Sequence, residues 1–285
     1  MKMKFNFKMS RLRLPSALLA LALLDSSAIG AQQSSPPIQD NSFLVEEAYN
    51  QETGVVQHIN TLSYLANSHD WSYSFTQEWP VLGQFHQFSY TVTAVRPGAF
   101  VDAGPGVGDA LLNYRCQLVG NGETRVAVAP RLSLILPLGN SDFGHGYGGT
   151  GLQTNLPLSF VLHKKLVSHW NAGATWVPRA RNNAGDRAAV WSYNVGQSFI
   201  WLVKPRFNIM LETYYVNAQT VAAPGQTLWS KTLLLNPGVR WAYNFSNGLQ
   251  IVPGIAVPVG IGPSAGEKGV FLYLSFEHPF QKIGK

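Results

Sequence analysis

Serine and histidine side chains stand near one another at two places in the sequence, where a nucleophile and its base could form a hydrolase. These pairs are His86 with Ser89 and Ser168 with His169. A hydrolase built into a membrane barrel would need such a pair and an orienting Asn or Asp on one face of the sheet. Strand residues share a face only when their numbers differ by an even count, and neither pair meets this condition. We therefore expect no enzyme, and a barrel-embedded hydrolase remains an alternative.

The remaining histidines and the glycine-rich run give no site for a metal or a phosphate. His58, His69, His145 and His163 lie on separate segments without the spacing of metal ligands. The run G-H-G-Y-G-G-T-G at 144–151 does not fit the strand-to-helix pattern of a phosphate-binding loop. We expect no metal site, no cofactor and a flexible outer loop at 144–151.

A row of polar and basic residues on two successive segments stands out from the background. The row consists of Asp109, Asn113, Arg115 and Gln117 on the first segment, with Arg125 and Arg131 on the second. If the turn is centred on Asn121, the numbers of residues opposite one another sum to roughly 242. Gln117 would then face Arg125, with Arg115 as the diagonal neighbour of Arg125. This register predicts a closely spaced group of like charges on one face.

Two interpretations of this row stay open. The arginines could line a pore wall as a basic ladder that attracts anions, or they could form ion pairs that brace a packed interior. Acidic and basic residues of other strands could face them across the lumen. The full predicted set of pore-lining residues is Glu78, Asp109, Asn113, Arg115, Gln117, Arg125, Arg131, Glu212 and Arg240.

Short alternating segments, separated by Gly, Asn, Pro and Asp, must position these residues. In one of them Trp71, Tyr73 and Phe75 alternate with Ser72 and Ser74. The second faces of such segments carry small, hydroxyl and amide side chains, whereas a water-facing exterior would be richer in Lys and Glu. Trp and Tyr gather near the segment ends, as at membrane interfaces. This pattern predicts strands with lipid on one side and a polar lumen on the other.

The segments and their connections predict the architecture. The twelve candidate strands are 55–65, 70–79, 84–95, 108–119, 124–136, 152–163, 168–177, 188–203, 206–216, 229–243, 249–259 and 269–280. Apart from a short first loop, short turns alternate with long loops, among them 137–151, 178–187 and 217–228. Short turns of membrane barrels face the periplasm, and an even strand number places both termini there. We predict one all-β domain over residues 54–280, a transmembrane antiparallel up-and-down β-barrel of 12 strands.

The N-terminus has the pattern of a secretory signal peptide. Basic residues precede the apolar stretch 14–24, small residues follow it, and we expect residues 1–31 to be removed. The remaining chain has 16 basic and 14 acidic residues, a net charge of +2, so composition gives no support for nucleic-acid binding. Residues 32–53 form a polar lead-in, either a periplasmic extension or a plug, and residues 281–285 form a periplasmic tail.

The last strand carries a candidate assembly signal. One face consists of Val270, Leu272, Leu274, Phe276, His278 and Phe280, and the other carries Phe271, Tyr273, Ser275 and Glu277. This pattern resembles the C-terminal strand of bacterial outer-membrane barrels, which the assembly machinery reads through its terminal aromatic residue. Phe276 and Phe280 are the predicted assembly-signal residues, and barrel-assembly machinery is a predicted partner.

Three runs of sequence resemble a known barrel family. They are I-Q-D-N-S-F-L-V-E-E-A-Y-N-Q-E at 38–52, G-V-G-D-A-L-L-N-Y-R-C-Q-L at 106–118 and A-V-A-P-R-L-S-L-I-L-P-L-G at 127–139. The chain is similar in these runs to the family called "MetA-pathway of phenol degradation". The resemblance implies an outer-membrane transporter or channel, and the family name implies passage of aromatic or other hydrophobic compounds.

These observations predict an outer-membrane channel or transporter for passive passage of small molecules. The predicted partners are outer-membrane lipid, the assembly machinery and a small-molecule solute. Two alternatives remain, a barrel-embedded outer-membrane hydrolase and a secreted β-sandwich binding protein.

Overall fold

A computed structural model describes residues 41–99 and 104–280, so the predicted signal peptide and the tail 281–285 lie outside the described residues. The strands are β1 (Val55–Leu65), β2 (Trp71–Val81), β3 (His86–Arg96), β4 (Gly106–Val107), β5 (Ala110–Cys116), β6 (Val126–Val128), β7 (Arg131–Leu136), β8 (Gly151–His163), β9 (Leu166–Arg181), β10 (Arg187–Lys204), β11 (Phe207–Ala223), β12 (Gln226–Trp241), β13 (Tyr243–Asn244), β14 (Gln250–Ala256), β15 (Val259–Gly260) and β16 (Gly269–Pro279). Short 3-10 turns cover Ser141–Phe143 and Gly262–Ser264. None of the helical turns in these ranges is long and apolar enough to span a membrane.

The strands form a closed antiparallel barrel. Brief interruptions divide four of the barrel strands, so the pairs β4–β5, β6–β7, β12–β13 and β14–β15 each count once and the barrel has twelve strands. The first and last strands pair along their whole length, from Val55 opposite Pro279 to Leu65 opposite Gly269. Closure leaves no free edge along this seam. The prediction of a twelve-stranded antiparallel barrel is confirmed.

Side chains alternate between the interior and the outer surface, as the period of two predicts. On β16, Phe271 and Tyr273 point inward and are each 4% exposed, whereas their neighbours Val270 and Leu272 are 43% and 42% exposed on the outside. The exposed side chains are apolar and the buried ones are mixed, which is the reverse of a water-soluble domain. The same reversal recurs around the barrel.

The connections give the barrel two different ends. At the end that we call the turn end, the connections are 82–85, 117–125, 164–165, 205–206 and 245–249, and β1 begins and β16 ends there. At the opposite end, the loop end, the connections are 66–70, 97–105, 137–150, 182–186, 224–225 and 261–268. The longest loop therefore lies at the loop end, on the side opposite the chain ends of the barrel.

Two predicted loops are shorter than expected. The prediction of a loop at 217–228 is wrong, because β11 continues to Ala223 and β12 begins at Gln226. The connection is a two-residue turn in which Gly225 has a φ of 70°, a conformation that glycine adopts without steric cost. Residues 178–181 likewise belong to β9. Backbone hydrogen bonds continue the ladder here without the apolar alternation that marks strands in the sequence.

The register around Asn121 also differs from the prediction. Arg115 lies opposite Arg131, so the paired residue numbers sum to 246 and the predicted pairing of Gln117 with Arg125 does not form. The hydroxyl of Thr124 accepts from Asn121 N (2.9 Å) and the side-chain oxygen of Asn121 accepts from Glu123 N (3.0 Å). These bonds build a wide turn in place of a tight hairpin. Arg125 lies in this turn, outside the strands, and is exposed.

Phe280 follows β16 at the turn end and lies on its outer face. Its side chain is 49% exposed and its backbone N donates to Gly54 O at 2.9 Å. If this aromatic group is the assembly signal, Phe280→Asp is expected to remove most of the membrane-inserted protein, as measured by fractionation and immunoblotting. Phe245→Asp is the matched control, because Phe245 is 50% exposed at the same end but lies outside the closing strand. Equal loss in the two variants would contradict the assembly role.

Candidate functional site in the barrel interior

Residues 41–53, which we call the lumen segment, lie inside the barrel and contact its inward-facing side chains. Val45, Ala48 and Asn50 are at most 3% exposed, although the segment contains no regular helix or strand. Because an extended segment cannot pair its own backbone, its N–H and C=O groups need partners on the barrel wall. The wall supplies these partners in three groups.

The first group is a buried carboxylate at the start of the segment. Glu212 on β11 is 0% exposed, and its Oε1 accepts hydrogen bonds from three consecutive backbone N–H groups. The distances are 2.9 Å to Phe43 N, 3.0 Å to Leu44 N and 3.3 Å to Val45 N. Asn236 donates to the second oxygen at 2.8 Å. A charged acceptor with this many donors binds a short peptide strongly.

The second group binds the middle of the segment at Glu46. Its carboxylate meets the Arg131 guanidinium, with Nη2 to Oε1 at 2.6 Å and Nε to Oε2 at 3.0 Å. The amide of Asn171 pairs with the Glu46 backbone in both directions, accepting from N at 2.8 Å and donating to O at 2.7 Å. Asn113 Oδ1 accepts from Arg131 Nη1 at 3.1 Å. This bidentate ion pair neutralises one of the predicted pore-wall arginines.

The third group surrounds the end of the segment. Arg115 is 3% exposed, and its Nε donates to Asn50 Oδ1 at 3.0 Å. The same guanidinium donates to the backbone oxygens of Glu47 and Tyr49. Gln117 pairs with the segment in both directions, donating to Ala48 O at 2.7 Å and accepting from Asn50 N at 2.9 Å. At this end of the segment, the wall side chains form more hydrogen bonds with backbone groups of the segment than with its side chains.

Arg115 also lies near two acidic groups. Its Nη2 is 4.0 Å from Glu47 and 3.9 Å from Glu78, and all three side chains are buried. Its charge is therefore met by carboxylates on both the segment and the wall. Of the two interpretations of the basic row, ion pairing describes Arg115 and Arg131 while the segment is in place.

The other members of the predicted set lie elsewhere. Arg240 is 1% exposed, with its guanidinium 5.9 Å from the centre of the Tyr273 ring. Arg125 is in the turn described above and does not join the interior group. Asp109 lies at the loop end, where it accepts from Gly139 N at 3.0 Å and Tyr147 N at 2.7 Å. The structure thus brings together Glu78, Asn113, Arg115, Gln117 and Arg131, places Glu212 at the other end of the segment and Arg240 in the interior beside Tyr273, and leaves Asp109 and Arg125 outside this group.

A serine–histidine pair that the sequence analysis missed lies under the segment. Ser159 on β8 and His169 on β9 are cross-strand partners, and Ser159 Oγ lies 2.7 Å from His169 Nδ1. Ser159 Oγ also accepts from Ala48 N at 2.8 Å, so its hydrogen is available to the imidazole. Both side chains are at most 1% exposed. In this arrangement the pair holds the segment, and no signal in the sequence finds it, because the contact depends on the register between β8 and β9.

A cavity of ≈ 700 Å³ lies at the loop end of the barrel. Its lining includes Trp71, Arg96, Asp109, Leu111, Tyr147, Val190 and Val221. Ala180 and Val190 of this lining belong to an apolar cluster with Ile135 and Val177 that is at most 3% exposed. The loop-end cavity therefore has an apolar wall, whereas the lumen segment is held by polar side chains.

Glu267 connects two loops at the loop end of the barrel. This carboxylate accepts from Asn67 N at 2.8 Å and from Ser68 N at 3.0 Å, which links the loops 66–70 and 261–268. Slight desolvation opposes ionisation, but these backbone N–H groups outweigh it and hold the pKa of Glu267 below its ordinary value. The carboxylate therefore stays charged at neutral pH and keeps the two loops joined.

Histidines do not form a metal site in the part of the chain that the structure describes. His58 and His278 approach across the seam with their Nε2 atoms 3.2 Å apart, but no group of three His, Cys, Asp or Glu side chains suited to a metal occurs within residues 41–99 and 104–280. His145 lies apart from them at the loop end, with its Nε2 3.1 Å from Gly104 O.

Comparison with known proteins shows the fold. No family model matches the sequence, and no curated protein matches it. The COG4313 outer membrane channel from Pseudomonas putida F1 is similar with a TM-score of 0.53 at 15% identity, covering 81% of this chain and 97% of that one. The NanC porin is similar with a TM-score of 0.50 at 12% identity, covering 77% of this chain and 98% of that one. At these identities the likeness establishes the barrel architecture alone.

Proposed function

We propose that the protein is an outer-membrane channel for the passive passage of small molecules, with a passage controlled by its own lumen segment. The observation that carries this proposal is the polar character of the contact between segment and wall. Glu212, Arg131, Gln117 and Asn171 hold residues 41–53 through hydrogen bonds that water could replace.

The outer surface supports placement in a membrane. Apolar side chains such as Leu132, Leu156 and Leu211 are 51%, 41% and 43% exposed around the barrel. Trp170 and Trp176 lie on the outer side of β9, six residues or about 20 Å apart along the strand, which a strand tilt of about 40° shortens to roughly 15 Å across the membrane. Both rings therefore fit within the apolar band, which is about 25 Å tall, and Trp176, nearer the loop end, suits one membrane interface. The turn end, with both chain ends of the barrel, would face the periplasm.

The two alternatives are less consistent with these observations. A secreted β-sandwich would not carry an apolar exterior around a polar interior. A hydrolase would have to use Ser159 and His169, which the lumen segment covers. The family resemblance and the passage of aromatic compounds remain part of the proposal, supported by the apolar lining of the loop-end cavity, where Trp71, Leu111 and Tyr147 lie.

Fractionation and conductance test the proposal together. The full chain is expected to sediment with the outer membrane and to migrate faster on a gel before boiling than after it, because a closed barrel resists detergent until heated. Purified protein in a planar bilayer should give discrete conductance steps, and liposomes should swell in small solutes. Recovery in the periplasm would contradict the membrane placement, and a membrane-inserted protein without conductance or swelling would contradict the channel.

A further inference from the structure

An outward-facing cleft at the loop end contains two arginines that the proposed channel does not use. The cleft has a volume of ≈ 400 Å³ and is lined by Gly149, Thr150, Pro178, Arg179 and Arg187. Both arginines are exposed, and Arg187 Nη1 lies 3.4 Å from the backbone oxygen of Arg179. Because both arginines line the same cleft, an anion bound there would be attracted by two positive charges.

The local sheet geometry points both arginines away from the lumen. On β10, Arg187 shares the outer face with Trp191 and Tyr193, which are 41% and 46% exposed. On β9 the pairing with β10 shifts by one residue, since Ala188 lies opposite Ala180 but Val190 lies opposite Val177. The extra residue of this bulge leaves both Pro178 and Arg179 on the exposed side.

Acidic partners are missing from this site within the described ranges. Asp142 forms an ion pair with Arg181 at 3.0 Å, and the carboxylate of Asp186, which precedes Arg187 in the chain, accepts from the amide of Asn182. Neither Arg179 nor Arg187 forms an ion pair with a described residue. The cleft therefore presents two arginines without an ion-pair partner among the described residues, and Thr150 belongs to the same lining.

A stack of aromatic rings lies directly below the arginines on the outer wall. The Trp176 and Trp191 rings are 5.9 Å apart, Trp191 and Tyr193 are 6.2 Å apart, and Tyr193 and Trp229 are 6.0 Å apart. Such rings mark the level where acyl chains meet headgroups. Arg187 is four residues beyond Trp191, about 13 Å along a tilted strand. The arginines would therefore lie in the headgroup layer of the outer leaflet.

We propose that this cleft binds the phosphate group of a phosphorylated glycolipid of the outer leaflet, such as the lipid A part of lipopolysaccharide. Arg179 and Arg187 bind the phosphate oxygens, Thr150 donates a further hydrogen bond, and the rings of Trp176 and Trp191 contact the acyl chains. Guanidinium groups bind phosphate oxygens in pairs and keep their charge at every accessible pH. The inference rests on the membrane orientation proposed above.

The loop that carries Thr150 is fitted closely to this site. A Cβ atom on Gly149 would lie 2.5 Å from the backbone oxygen of Arg179, so only glycine allows the loop to approach β9 this closely. Arg181 N also donates to Tyr147 O at 2.7 Å. The loop backbone next to Thr150 is thereby held against β9, and a bound glycolipid would secure the longest loop of the barrel.

Titration of the detergent-purified full chain with lipid A tests the proposal by native mass spectrometry. The variant Arg179→Gln with Arg187→Gln is expected to bind bisphosphorylated lipid A at least roughly tenfold more weakly than the wild type, because each charged hydrogen bond contributes more than a neutral one. The matched control is Arg125→Gln with Arg206→Gln, which removes two exposed arginines from the turn end and should bind like the wild type. Heat-modifiable migration shows that each variant is folded.

Two further probes identify the source of the phosphate. Dephosphorylated lipid A should bind the wild type as weakly as bisphosphorylated lipid A binds the double variant. Inorganic phosphate should not compete at concentrations comparable to those of the lipid. Equal binding by the double variant, equal binding of the dephosphorylated lipid, or effective competition by inorganic phosphate would each overturn the glycolipid site. A protein that conducts without binding lipid A would refute this inference alone, and one that binds lipid A without conducting would refute the channel alone.

Discussion

Deletion of residues 41–53 is expected to raise the single-channel conductance several-fold. The lumen segment crosses the polar half of the barrel interior, and its removal leaves Glu212, Arg131 and Arg115 facing water. These groups are charged and regain hydration when exposed, so the barrel should stay folded. Conductance in planar bilayers measures the effect, and heat-modifiable migration checks the fold.

The deletion should also change ion selectivity. With Glu46 and Glu47 gone, the guanidinium groups of Arg115 and Arg131 lose their partners on the segment, and positive charge in a narrow lumen attracts anions. Arg131→Gln in the deleted background should move the reversal potential back toward cations. A variant in which residues 41–53 are replaced by a Gly/Ser chain of equal length controls for the tether. Unchanged conductance in the deletion variant would show that the segment does not obstruct the passage.

Glu212→Gln is expected to release the lumen segment without removing it. The carboxylate accepts from three backbone N–H groups. A glutamine has one acceptor oxygen, and its NH₂ group is a donor that cannot accept from those N–H groups. Hydrogen bonds to charged groups contribute about 1.5–3 kcal/mol, which corresponds to roughly a tenfold to hundredfold change in the docking equilibrium. The undocked fraction should rise by that factor.

Thiol labelling measures this release. Ser42 is 6% exposed and donates to Ser198 Oγ at 2.7 Å, so a Ser42→Cys reporter in a Cys116→Ala background should react slowly in the docked state. Glu212→Gln should speed the reaction at least roughly tenfold if reaction requires undocking. Glu123→Gln, which changes an exposed carboxylate in the turn 117–125, should leave the rate unchanged. Equal labelling rates in the two variants would show that Glu212 does not hold the segment.

The sequence by itself determined the strands and their two faces. Lipid outside and polar groups inside impose an alternation with a period of two, and this is a local property that each segment shows on its own. The alternation of Phe271 and Tyr273 with Val270 and Leu272 predicted which side chains point inward. Strand number followed from counting such segments. The apolar alternation did not show that residues 217–223 belong to β11, because a ladder of backbone hydrogen bonds can continue through small polar residues.

Only the tertiary structure decided the register and the contents of the lumen. A turn held by Thr124 and Asn121 side chains set Arg115 opposite Arg131 and left Arg125 outside the strands, because side-chain bonds within a loop change its length. Ser159 met His169 through cross-strand pairing. Residues 41–53 are polar enough for either the periplasm or the barrel. Their place inside follows from partners such as Glu212, more than 160 residues away in the chain, and contacts at that separation leave no local pattern in the sequence.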